Sequence, residues 1–227
     1  LQQMKDHYNR ELNAQNVFKI KISKTIIIAL HKYFKNHIQN STNEDFHTIS
    51  PQWNSDIKWT SVNNSKTYNQ FLRIFDTLNL SDIQKFIDGE IICYSIFFVT
   101  RSHCHKPNFH TDFSNTENNA FTLMTPLTNI DNDSRGHLLY KDDNDKTAVY
   151  KYKRGECIVF GDKFLHSTQP YSQKEVTFLC FTFGSNKRKH WKKIFNCIRD
   201  QQARNMRYDG IYVNSVKESK RLEFEEQ

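Results

Sequence analysis

Two histidines and one carboxylate are the residues of this chain best suited to hold a reactive metal. His110 and Asp112 sit one residue apart in Phe109-His110-Thr111-Asp112-Phe113, so on an extended segment both side chains leave the same face. His166, in Gly161-Asp162-Lys163-Phe164-Leu165-His166-Ser167-Thr168, reaches them only through the fold. Two imidazoles and a carboxylate on one face of an octahedral ion leave three positions open, which is the facial ligand set suited to non-haem Fe(II). No thiolate joins the set to favour zinc. His103-Cys104-His105 offers a second histidine pair, but it lacks the downstream pattern of His110 and Asp112 and reads as a loop leading into their strand. Arg101, in the same stretch, can face a substrate. His137, after Gly136, reads as a sheet residue.

The segments that must position this set are short and β-like. Ile91 to Thr100 is a continuous apolar run with β-branched and aromatic residues, the pattern of a buried strand. Further strands are expected at about 121–127, 137–140, 148–153, 157–160 and 176–183, separated by Gly, Pro, Asp and Asn. Antiparallel strands at this spacing suggest a sandwich or jelly roll. Upstream, residues 1–16 are polar and read as partly helical or frayed, and Phe18, Ile20 and Ile22 alternate as a short strand. Ser23 can cap a helix from about Lys24 to Ile38. Tyr68, Phe71, Leu72, Phe75 and Leu78 mark an amphipathic helix, and Ser81 to Gly89 holds a shorter one. These helices are expected to buttress an outer face of the sheet. Residues 39–65, with Trp53 and Trp59, read as a surface loop or a lid over a pocket. After Gly184 the period becomes helical, with Trp191, Ile194, Phe195 and Ile198 on one face and six basic residues on the others.

The ordered set of segments resembles the core of the Fe(II)/2-oxoglutarate-dependent dioxygenases over roughly residues 91 to 184. It runs from His110-x-Asp112 through Phe121–Leu127, Gly136-His137-Leu138 and Gly155-Glu156-Cys157-Ile158-Val159-Phe160 to His166. The resemblance implies a mainly β fold with flanking α-helices, the double-stranded β-helix, cupin-like in architecture. Residues 1–227 would form a single oxygenase domain: 1–90 a helical support and possible lid, 91–184 the β-helix core, 185–227 a basic helix and tail. It implies Fe(II) on His110, Asp112 and His166, with 2-oxoglutarate as cosubstrate and O2 as oxidant, giving succinate and CO2 as a C–H bond is oxidised. Halogenating relatives carry a small residue at the Asp112 position, so this chain looks like a hydroxylase. In the family a basic residue shortly after the distal His holds the far carboxylate of 2-oxoglutarate. Lys174 is the only Lys or Arg between His166 and Gly184, so it takes that role here, although most relatives use Arg. Tyr94, Thr122, Leu138 and Thr182 are weaker candidates for lining the cosubstrate pocket.

Composition bounds the partners. Thirty-two Lys and Arg against 25 Asp and Glu give a net charge of +7. The surplus is spread along the chain and clusters only in the helix after Gly184, where nucleic acid or an acidic protein could dock. A small-molecule or amino-acid-like substrate is the leading expectation; the alternatives are an oxygenase acting on protein or nucleic acid and a non-catalytic cupin-like metal- or ligand-binding protein. No apolar run approaches the roughly 18–20 residues of a membrane helix, and no signal peptide is visible. Five cysteines (Cys93, Cys104, Cys157, Cys180 and Cys197) without C-x-x-C spacing argue against a disulfide framework and for a reducing, intracellular setting such as the cytoplasm.

Overall fold

The computed structural model describes residues 6–51, 54, 56–172, 174–199 and 205–213. In chain order the elements are β1 (Tyr8–Asn9), β2 (Ala14–Gln15), β3 (Val17–Lys21), α1 (Lys24–Tyr33), β4 (Phe46–Ile49), β5 (Ile57–Val62), α2 (Ser65–Phe75), α3 (Ser81–Gln84) and β6 (Ile91–Arg101). They continue with β7 (Ala120–Pro126), β8 (Leu138–Lys141), β9 (Thr147–Tyr150), β10 (Glu156–Phe160), β11 (His166–Thr168), β12 (Val176–Ser185), α4 (Arg188–Ile198), β13 (Asn205–Met206) and β14 (Tyr212–Val213). A wide π-helical turn, Phe34–Ile38, extends α1.

Two antiparallel sheets make the core. The larger has seven strands in the order β3-β10-β7-β12-β6-β5-β4, and the smaller has the order β11-β8-β9. Strand alternation divides the large sheet into two faces. Leu123, Val159, Leu179, Phe181 and Phe98 point outward into one apolar cluster, while Ile158, Phe160, Phe178, Cys180 and Val99 point inward into a second. The small sheet closes over the inner face with Leu138, Tyr140 and Tyr150. The architecture is the double-stranded β-helix expected from the resemblance.

The outer face is covered by helices whose apolar stripes fit it. Ser23 caps α1 by accepting from the Ile26 amide at 3.3 Å, and Ile27, Leu30, Phe34 and Ile38 follow at helical spacing into the outer cluster. Asn64 caps α2 by accepting from the Thr67 amide at 2.9 Å, and α2 adds Tyr68, Phe71 and Phe75. After β12, α4 docks Trp191, Ile194, Phe195 and Ile198 against Tyr94, Phe113 and Ala120. Two of its lysines are paired, Lys189 with Asp88 at 2.5 Å and Lys193 with Glu117 at 2.6 Å, so acids of the same chain offset part of its charge. All five cysteines are free. Among the described residues no helix is long and apolar enough to cross a membrane.

Two expectations about irregular segments are corrected. Residues 8–15 are not helical: Tyr8 and Asn9 pair with Gln15 and Ala14 in a small hairpin, because Leu12 and Ala14 are buried and Asn13 and Asn16 take left-handed backbone angles. Part of 39–65 is sheet and not loop, since β5 pairs with β6 and β4 with β5, which brings Trp59 onto the inner face of the large sheet. Trp53 lies outside the described residues, as does the tail beyond residue 213.

Gly184 shows how tightly β12 is packed. It pairs with Ala120 across the ladder, and a Cβ there would meet the Asn119 carbonyl oxygen head-on and lie 2.8 Å from the Ala120 Cα. Both are backbone atoms that cannot swing aside. Gly184→Ala is therefore expected to cost about 2 kcal/mol, as overpacking does, and to lower the melting temperature by roughly 4–8 °C. Thermal unfolding followed by circular dichroism checks this, and an unchanged midpoint would mean that the strand has slack.

Candidate metal centre and cavity

His110 and His166 are held opposite each other by the backbone. The His110 amide donates to the His166 carbonyl and the His166 amide to the His110 carbonyl, both at 3.0 Å. Residues opposed in such a pair present their side chains on the same face, and the two imidazole centroids lie 4.5 Å apart. Asp112, two residues on, points the same way. Its Oδ1 is 3.3 Å from His110 Nε2 and 3.4 Å from His166 Nε2. Among the described residues this is the one group of three or more metal-binding side chains, with ligand atoms all within 4.8 Å of one another.

The surroundings prepare these atoms for a cation. His110 Nδ1 donates to the Asn108 carbonyl at 2.8 Å, and His166 Nδ1 donates to the Phe164 carbonyl at 3.0 Å. Each Nδ1 thereby holds the proton and leaves the Nε2 lone pair facing Asp112. Thr122 Oγ1 donates to Asp112 Oδ2 at 2.9 Å, which turns Oδ1 toward the histidines. Burial alone would raise the Asp112 carboxyl, but the neighbouring imidazoles, His166 foremost, outweigh it and hold the group well below the usual carboxylate range. A proton added at His110 Nε2 would bond to the Asp112 carboxylate, which raises this imidazole against the opposing effect of burial. An anionic carboxylate oxygen set between two imidazole Nε2 atoms fits a divalent cation that accepts N and O donors.

Two supports were not visible in the sequence. Asp162 accepts from the Thr116 amide and hydroxyl, both at 2.9 Å, and from the Asn118 amide at 3.4 Å. It thus anchors the loop after Asp112, in which Asn115, Glu117 and Asn118 adopt left-handed backbone angles. Phe113, fully buried beside Asp112, locks the same segment against α4.

A cavity of about 360 Å³ opens from the triad into the inner face of the large sheet. Thr122 and Leu138 line it, as expected. Arg101 lines it too, at the last position of β6. This side chain is 6% exposed, and its Nε and Nη2 have no hydrogen-bond partner. Its guanidinium carbon lies 4.9 Å from the centre of the Phe178 ring. Burial pushes the nearby Tyr171 phenol up to about 12, against the opposing influence of Arg101, and the Tyr171 hydroxyl also lacks a partner. A buried cation with unsatisfied donors is costly unless an anion joins it.

Three other expected pocket residues are absent from the lining. Lys174 is half-buried and lies outside the sheet, because β12 begins only at Val176. Val176, two residues after Lys174, pairs with Arg101 across the ladder. Tyr94 is the extra residue of a β-bulge: Thr182 pairs with Ser95 and Phe183 with Cys93. Its ring turns toward Trp191, 5.3 Å away, and its hydroxyl donates to the Ser185 carbonyl at 2.5 Å. Thr182 is fully buried, with its hydroxyl bonded to that of Ser95. His137 is a sheet residue, as read, with Nε2 donating to the Asp131 carbonyl at 3.1 Å and Nδ1 accepting from the Tyr152 amide at 3.1 Å. His103 and His105 flank Cys104, which exchanges backbone hydrogen bonds with Tyr171, away from the triad.

Replacing Thr122 with Val keeps the shape but frees Asp112 to rotate. Mn(II) affinity measured by titration calorimetry is expected to fall roughly ten- to a hundredfold, as losses of such outer contacts do. Unaltered affinity would show that the Phe113 and Asp162 supports suffice to aim the carboxylate.

No family model and no curated protein matches the chain by sequence. Solved structures do match by shape. HygX from Streptomyces hygroscopicus, with nickel and 2-oxoglutarate bound, superposes with a TM-score of 0.54 at 8% identity, over 78% of this chain and 87% of that one. The non-heme alpha ketoglutarate dependent epimerase SnoN from nogalamycin biosynthesis gives 0.53 at 10% identity, over 74% and 77%. A Pseudomonas putida prolyl-4-hydroxylase gives 0.51 at 12% identity, over 74% and 92%. At this identity the likeness shows a shared fold.

Proposed function

We propose that this protein is a non-haem Fe(II)- and 2-oxoglutarate-dependent oxygenase that oxidises an unactivated C–H bond of a small molecule. The observation that carries the reading is the convergence of His110 Nε2, His166 Nε2 and Asp112 Oδ1 at the mouth of a cavity that also holds an unneutralised arginine. His110, Asp112 and His166 would hold the iron through two neutral nitrogens and one anionic oxygen. The bound metal and cosubstrate supply the oxidising power: 2-oxoglutarate, O2 and a C–H bond become succinate, CO2 and a C–OH group.

The chain's own residues bind, orient and exclude. Arg101, with the Tyr171 hydroxyl, takes the far carboxylate of 2-oxoglutarate, the role expected of Lys174 from the sequence. A guanidinium offers a planar, two-pronged donor to a carboxylate, and Phe178 beneath it fixes its plane. Leu138, Val99 and Cys180 line the cavity with apolar groups that limit water around the reacting atoms. HygX and SnoN, whose structures contain 2-oxoglutarate or alpha ketoglutarate with a metal, support this reading by their shared fold.

The test is anaerobic reconstitution with Fe(II) and 2-oxoglutarate, then O2, with succinate measured. Asp112→Asn keeps the volume and removes the charge. It and His166→Ala are each expected to abolish iron retention and succinate release together. Retention of both activities in both variants would refute the triad. Arg101→Gln is expected to weaken 2-oxoglutarate binding by roughly ten- to a hundredfold, the worth of a charge-assisted contact, with Lys174→Ala close to wild type. The opposite ranking in calorimetry would return the anchor to Lys174.

A further inference from the structure

The inner face of β5 and β6 carries side chains whose exposure a folded barrel alone does not explain. Trp59 stands opposite Val99 and Ser61 opposite Phe97, so these four share one face of the sheet. Ile57, Trp59, Phe97 and Met124 all line the cavity and all remain half-buried, whereas Ile96 and Phe98, the outward neighbours of Phe97, are at most 1% exposed. Apolar surface left open inside a barrel is surface that a ligand can cover.

The charges of the cavity decide what kind of ligand. Its lining contains one carboxylate, Asp112, and one permanent cation, Arg101. On the reading above, Asp112 and both histidines belong to the metal and Arg101 to 2-oxoglutarate. The remaining polar groups, among them Ser61, Asn108, Thr111 and Ser167, are neutral. An ammonium or carboxylate entering this space would lose its hydration without gaining a counter-charge, at a cost of several kcal/mol. A free amino acid presents both.

We propose that the group oxidised by this enzyme is neutral and apolar, an aromatic or aliphatic portion of its substrate laid against the wall formed by Ile57, Trp59, Phe97 and Met124. Any charged part of the substrate stays outside the cavity. This narrows the substrate class from small or amino-acid-like molecules to those that offer an uncharged hydrocarbon face, and it rests on Arg101 being committed to the cosubstrate.

The experiment loads the intact chain with Mn(II) and saturating 2-oxoglutarate and titrates it with the neutral fluorophore N-phenyl-1-naphthylamine. Indole and cyclohexanol are expected to displace the probe, and L-proline, L-lysine and L-phenylalanine to leave it bound. Trp59→Ala and Phe97→Leu should each weaken the probe about tenfold. In a separate calorimetric arm, 2-oxoglutarate affinity should stay within about twofold. Displacement by the zwitterions at concentrations as low as indole overturns the proposal. So does a probe affinity that neither substitution changes. The competition arm uses the unaltered chain, so it decides the matter even if a variant fails to fold. If Arg101→Gln leaves 2-oxoglutarate binding intact, the cosubstrate assignment fails, and the neutral-wall proposal falls with it for that distinct reason.

Discussion

Everything at the candidate metal centre depends on two backbone hydrogen bonds. The reciprocal pair between His110 and His166 joins segments far apart in sequence and sets both imidazoles on one face without help from the side chains themselves. It also adds the His110 segment to the free edge of β11, so the small sheet is completed by the strand-like stretch that carries Asp112. A shift of this pairing by one residue would send a histidine to the opposite face and empty the site. The rest of the molecule can be understood as protection of that register. Asp162 restrains the loop beyond Asp112, Phe113 is pinned by α4, and Phe160 and Phe164 flank the His166 ring with centroids 4.3 and 5.8 Å away.

The two faces of the large sheet divide the labour. The outward face is closed by α1, α2 and α3 with mainly apolar side chains, joined by a few hydrogen-bonded threonines such as Thr100 and Thr177. The inward face tolerates costlier groups: a carboxylate, two imidazoles, an arginine and partly open aromatics. Such groups lower stability in isolation, and a well-packed outer layer offsets them. Strand alternation makes this division possible: beyond the bulge at Tyr94, Ile96 and Phe98 of β6 face the helices while Phe97, Val99 and Arg101 face the cavity.

Much of this was legible along the chain, for reasons that differ by element. The triad could be read because metal chemistry restricts residue type, and His-x-Asp on an extended segment fixes direction. The strands between Ile91 and Phe183 could be read from apolar runs and turn residues, with boundaries off by up to three residues and the short β11 missed. Tyr94 could not be placed, because a bulge between Thr182 and Phe183 is a property of two strands in register and leaves no mark in one of them. The stretch 39–65 looked like a loop because it is rich in Asn, Ser and Thr, yet pairing of β5 with β6 and of β4 with β5 made strands of 46–49 and 57–62. Arg101, proposed above as the cosubstrate anchor, did leave a signal: a single charge ending an otherwise apolar strand run. Distance from His166 drew attention to Lys174 instead.

The pairing of Arg101 with Val176 has a wider consequence. In a sheet, the residue that delivers a charge to a given point can come from either strand of a ladder, and exchanging one source for the other leaves the point itself unmoved. On the assignment proposed above, a recognition pattern written along one strand finds Lys174 where the cation lining the cavity is Arg101. What such a site preserves is an address in the sheet, given by row and face, and chain position is only one of the ways to occupy it.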